Sequence, residues 1–87
     1  MALGRAGSSL TAELNRLAGI TDITKFLDAQ GAANAYAGTT GLATVGALNV
    51  LAEKTSPAEY LDLQGICNEL AGTTGLGAPA ALRSIDA

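Results

Sequence analysis

The sequence predicts an all-α fold: a short helical repeat array of about four helices in two 34-residue units, closed by a C-terminal helical turn. Three observations predict it. The chain matches itself when shifted by 34 positions, a small-x-x-Asn-x-x-Ala pattern recurs within each unit, and Gly and Pro fall where helices would start and stop. Residues 10–87 are expected to form one helical-repeat domain, with units at about 10–43 and 44–77 and a partial cap at 78–85, preceded by a flexible N-terminal arm at 1–9.

The shift by 34 sets Leu14-Asn15 over Leu48-Asn49, Leu27-Asp28 over Leu61-Asp62, Gln30-Gly31 over Gln64-Gly65, and the run from Ala37 to Leu42 over that from Ala71 to Leu76. Without gaps, 18 of the 44 overlaid positions are identical. A fixed period of this fidelity marks repeat architecture, in which each unit buries its apolar face against the next. The half-repeat places its asparagines at Asn15, Asn34, Asn49 and Asn68, with spacings of 19, 15 and 19. Such alternation predicts longer helices over residues 21–37 and 56–71 and shorter ones over 9–18 and 43–53.

Each element has its punctuation. Ser56-Pro57-Ala58-Glu59 reads as a capping box: Ser at N-cap, Pro at the first helical position, Glu reaching back. Tyr60, Leu63, Ile66, Cys67 and Leu70 follow at helical spacing. Gly38 and Gly72 stand where a left-handed residue closes a helix. In each Gly-Thr-Thr-Gly-Leu turn, completed by Gly41 and Gly75, either Thr is expected to cap the next helix. Gly31, Gly46 and Gly65 lie inside expected helices, three residues before an asparagine, with Ala12 in the equivalent first place. Gly costs up to about 1 kcal/mol there relative to Ala, so close helix crossing is the expected reason. Each Asn is then expected to hydrogen-bond a carbonyl or turn amide of the adjacent half-repeat.

An 87-residue chain with only Phe26, Tyr36 and Tyr60 as aromatics has a thin core, and its burial is expected to be completed against partners or copies. The five cations, spread along a chain of net charge −3, form no basic stripe for nucleic acid. No apolar run approaches the roughly 20 residues that span a bilayer. Residues 1–9 lack the apolar segment of a secretory signal, so synthesis in the host cytoplasm, with retention there until assembly or release, is expected. Cys67, alone and among apolar neighbours, reads as a core residue.

Chemistry has few candidates. There is no histidine and only one cysteine, which argues against the usual general base and against a thiolate metal cluster. Asp28 and Asp62 alone among the carboxylates are related by the repeat, and a solvated face or a contact between repeats explains them better than a catalytic pair. The loop at Gly72-Thr-Thr-Gly75 superficially suits a phosphate, but such loops follow a β-strand, and this one has a sister copy at Gly38-Thr-Thr-Gly41. The period equals that of tetratricopeptide repeats, but their Trp-x-x-Leu-Gly pattern is absent. The expectation is no enzyme, no cofactor and no metal.

The segments Leu61-Asp-Leu-Gln-Gly-Ile-Cys-Asn-Glu-Leu-Ala-Gly-Thr-Thr-Gly-Leu76 and Leu27-Asp-Ala-Gln-Gly-Ala-Ala-Asn-Ala-Tyr-Ala-Gly-Thr-Thr-Gly-Leu42 resemble a group of small repeat proteins from tailed bacteriophages of actinobacteria, in which Asn-x-x-Ala-Gly-Thr-Thr-Gly-Leu units recur. The resemblance covers nearly all of residues 10–85. It implies a virion structural protein in multiple copies within a symmetric assembly, in the tail or tail tip and docked on a larger virion protein; the charge distribution and the lack of a long apolar run add the expectation of no nucleic acid and no membrane as partner. A capsid decoration or cement protein on the head is the alternative it also allows, and a small soluble protein-interaction module is the alternative from another class. This chain departs from the pattern at Glu53-Lys54-Thr55, where a Gly-Thr-Thr-like turn is expected.

Overall fold

The computed structural model describes residues 9–85, so the expected arm at 1–9 lies, Ser9 excepted, outside the described residues. Five α-helices follow one another: α1 (Leu10–Leu17), α2 (Ala29–Ala37), α3 (Thr44–Leu51), α4 (Leu63–Ala71) and α5 (Ala78–Arg83). Short 3-10 turns at Ile23–Lys25 and Pro57–Glu59 precede α2 and α4, and no strand occurs among the described residues. The all-helical array is thus the one that the repeat predicted.

The alternation of long and short helices is corrected. The expected long helices each divide into a 3-10 turn, an extended stretch and a nine-residue α-helix, so the unequal spacing lies in the junctions. The reason is local. Phe26 and Tyr60 are extended, and the backbone amide and carbonyl of the following Leu27 and Leu61 are bound by asparagine side chains from the preceding helix, which takes them out of any helical ladder.

Helix starts differ from expectation in three further ways. Asp28 and Asp62 are N-caps, accepting from the amides of Gly31 and Gly65 at 2.8 Å, rather than lying on a solvated face or between repeats. Ser56 opens only a 3-10 turn, and its side chain makes no capping bond. The threonines of Gly-Thr-Thr-Gly-Leu cap nothing: α3 and α5 start at Ala43 and Gly77 without a side-chain cap. Ser9 does cap α1, accepting from the Ala12 amide at 3.1 Å.

The core has a strict register. Counted from the capping residue, the fourth and fifth positions of every helix are buried: Glu13-Leu14, Ala32-Ala33, Ala47-Leu48, Ile66-Cys67 and Ala81-Leu82. All but Glu13 join one apolar cluster, whose largest members, Leu14, Leu48, Ile66 and Leu82, each contribute roughly 1.5–3 kcal/mol on burial. Each helix packs on the next in sequence, and α5 also packs on α1. The C-terminal segment therefore does not cap an open stack; it closes the array on its own beginning.

The first four helices end alike. Four residues after each asparagine stands a left-handed residue, Gly19, Gly38, Glu53 or Gly72, with φ of +82, +76, +64 and +72°. The next amide then donates to the asparagine's backbone carbonyl at 2.8–3.0 Å. Glu53 thus adopts the geometry of the glycines, so the departure at Glu53-Lys54-Thr55 alters the residues but not the helix ending. Left-handed geometry costs a residue with a Cβ about 1 kcal/mol. Glu53→Gly should therefore raise stability by about 0.5–1 kcal/mol in urea unfolding, whereas Gly38→Ala should lower it by about 1 kcal/mol.

Candidate functional site

The residues singled out in the sequence converge on the helix junctions, and the asparagines organise them. Asn15 donates through Nδ2 to the carbonyls of Thr11 and Leu27, both at 2.9 Å, while its Oδ1 accepts from the Leu27 amide at 2.9 Å. Asn49 repeats this on Val45 and Leu61, at 2.8–3.0 Å. Asn34 reaches the carbonyls of Gln30 and Leu42 at 2.8 Å; its Oδ1 accepts from the Leu42 amide at 3.3 Å and the Thr39 hydroxyl at 2.7 Å. Asn68 does the same with Gln64, Leu76 and Thr73.

Each side chain therefore binds both backbone groups of the leucine that immediately precedes the next helix's cap, while anchored to its own helix one turn back. The asparagines are 0–7% exposed, and among the described residues no buried side-chain polar atom lacks a partner. The threonines have a role here in place of capping: Thr39 and Thr73 fill the second lone pair of their asparagine's oxygen. At the longer junctions Ile20 and Lys54 hold that place and supply no hydroxyl. From the sequence, the leucine of each Gly-Thr-Thr-Gly-Leu turn is expected to reach back and cover the turn, and Leu27 and Leu61 have no expected role. The structure uses the backbone of all four, and the signal for that is their recurrence 12 or 8 residues after each Asn.

The glycines divide into three groups. Gly38 and Gly72 close α2 and α4, and Gly41 and Gly75, also left-handed at φ +75°, turn the chain into the clamped leucine. At Gly31 and Gly65 the close-crossing expectation is corrected. A Cβ there would meet the Asp28 or Asp62 cap oxygen at 3.0 Å and the Leu27 or Leu61 Cβ at 3.2 or 3.4 Å, all from the junction leading into the same helix. Only Gly46 faces another junction, where the Tyr60 hydroxyl lies 3.2 Å from the would-be Cβ. The first unit has Ala12 and Phe26 at the matching places, so the extra hydroxyl and the missing methyl change together.

The surface of the described residues includes an open depression of about 640 Å³ along α4 and the turn after it. Of its polar groups, the Asn68 amide, the Thr73 hydroxyl and one Asp62 oxygen are already engaged within the fold, and Glu69 pairs with Lys54 at 3.4 Å across the surface. Another, about 400 Å³, is lined by Gly19, Ile20, Thr21, Asp22, Lys25 and Leu27. Asp22 there accepts from the hydroxyl and amide of Thr24, which lowers its pKa below the usual carboxylate value. Among the described residues no group of three or more acidic or cysteine side chains is placed to hold a metal, and no helix is long and apolar enough to cross a membrane. Cys67 is fully buried, and burial pushes its thiol up to about 11.

No protein-family model matches the chain, nor does any curated protein or solved structure.

Replacing Asn49 by Ala should cost about 3 kcal/mol in urea unfolding, since it strips both partners from Leu61 at roughly 1–3 kcal/mol for each unsatisfied group. Asn49→Asp should cost at least as much, because a carboxylate facing the Val45 and Leu61 carbonyls has no donor to offer. Thr39→Val should cost only about 1 kcal/mol. At Gly46 a double-mutant cycle should couple: Gly46→Ala should be better tolerated by about 0.5–1 kcal/mol once Tyr60→Phe has removed the hydroxyl.

Cys67 should resist thiol reagents in the native state at pH 8 and react fully in denaturant. Its folded pKa lies above the ordinary 9.0. Above pH 9 the unfolded chain therefore holds fewer protons, and stability should fall between pH 9 and 11. Cys67→Ala should remove that component of the alkaline slope.

Proposed function

We propose that this protein is a non-enzymatic structural component of a tailed-phage virion, a minor tail or tail-tip protein docked in several copies on a larger virion protein. The observation that carries the non-enzymatic part is the internal use of the repeated polar groups. The four asparagines, two threonines and two aspartates that a binding or catalytic site would draw on hold helix junctions together, each bonded to backbone or to one another. What is left for a partner is surface. Ile23, Leu27 and Tyr60 are 76, 41 and 50% exposed on the two longer junctions, and Val50 is 40% exposed on α3, in a chain whose core is built from small side chains. Docking on a protein surface would take such apolar area out of water.

The virion and tail assignments rest on the resemblance of the Asn-x-x-Ala-Gly-Thr-Thr-Gly-Leu units. Mass spectrometry of purified phage particles is the direct test. The protein should be found in the particle and should remain with the tail fraction when heads and tails are separated. Recovery with heads would transfer it to the capsid surface as a decoration protein, and absence from particles would remove both readings in favour of a soluble interaction module.

A further inference from the structure

The fifth helix carries Arg83 where the other four carry the asparagine, and its last carbonyls are met by the residues that follow: the Ala81 carbonyl accepts from the Ser84 amide at 3.1 Å and the Ser84 hydroxyl at 2.7 Å, and the Leu82 carbonyl from the Ile85 amide at 3.0 Å. A further donor to α5 comes from α1. Arg16 Nη2 donates to the Leu82 carbonyl in the last turn of α5 at 2.9 Å, and Arg16 Nε donates to Glu13 Oε1 at 3.0 Å. A guanidinium at a helix C-terminus meets carbonyls with a lone pair to spare and the negative end of the helix dipole.

The repeat isolates these residues. Glu13 overlays Ala47 and Ala81, both fully buried, yet is itself a carboxylate only 2% exposed; Arg16 overlays Val50 and Ser84. The same register position in α2 and α4 holds Ala32 and Ile66. Glu13 is therefore the one charged residue at a position that is apolar in the other four helices. A buried carboxylate is costly unless paired, and its partner is the residue that bonds the Leu82 carbonyl of α5.

From this we infer that Glu13 and Arg16 form a lock at the seam between α1 and α5, and that this seam is where the ring of helices opens. Glu13 orients the guanidinium, and the guanidinium ties the last turn of α5 to α1 through the Leu82 carbonyl. The other helix contacts follow a covalent junction carrying an asparagine clamp. The α1–α5 contact joins residues 66 positions apart and has none. Releasing the lock should free the seam while the clamped helices stay folded, uncovering the Leu14, Ala81 and Leu82 faces.

The test is native-state hydrogen exchange on the full chain, comparing wild type with Glu13→Ala/Arg16→Val, the residues the second unit itself carries. Amides of α5, those of Ala81, Ser84 and Ile85, should exchange at least tenfold faster in the variant, while the Ala52 and Ile66 amides in the α3–α4 region keep their rates. Equal acceleration in all five helices would overturn the proposal by reducing the pair to a general stabiliser, and no acceleration would remove it outright. Arg16→Lys guards against a double variant too unstable to fold. It keeps the charge but loses the two-pronged guanidinium, and should show the same acceleration confined to α5. Wild-type protection with lysine would overturn the bridging role of the guanidinium.

Discussion

One interaction organises this molecule: a buried asparagine amide that binds the backbone N–H and C=O of a single leucine in the next junction. Asparagine suits this because its planar amide presents acceptor and donor side by side, matching the two groups an extended residue shows along one edge. The spare Nδ2 hydrogen returns to the carbonyl one turn back, which fixes the side chain to its own helix. Every junction thereby acquires the equivalent of one rung of a β-ladder without any strand. Aspartate would lack the donors and serine the second group.

The clamp also governs where helices lie. A leucine with both backbone groups bound cannot continue a helical ladder, so the following residue must begin one. Asp28, Asp62, Ala43 and Gly77 are all caps for this reason, although only the two aspartates have side chains that cap. The buried fourth and fifth positions then sit just before the asparagine at the sixth, so apolar core and polar clamp occupy the same turn. With eight- or nine-residue helices and alanine at many core positions, apolar burial alone gives little, and isolated helices of this length are marginal in water. The clamps supply what length and bulk do not.

The sequence disclosed the period, the all-helical class and the asparagines because these recur by identity. It did not disclose the helix lengths. The apolar spacing from Tyr60 to Leu70 fits a helix throughout, and only the capture of Leu61 by Asn49, twelve residues upstream, divides it. Ser56-Pro57-Ala58-Glu59 misled for the same reason: its local cues initiate a helical turn, which a tertiary contact then stops after three residues. The threonines misled because an exposed hydroxyl at a turn usually caps the helix that follows, whereas here a buried amide oxygen with a free lone pair lay closer.

Repetition itself hides what is singular. Overlaying the units draws attention to what they share and passes over Glu13 and Arg16, which match nothing at their repeat positions. Every clamp among the described residues joins a helix to the one that follows it. The contact between α1 and α5 has no such clamp, and two charged residues placed on α1 alone supply a bond there that none of those junctions reproduces.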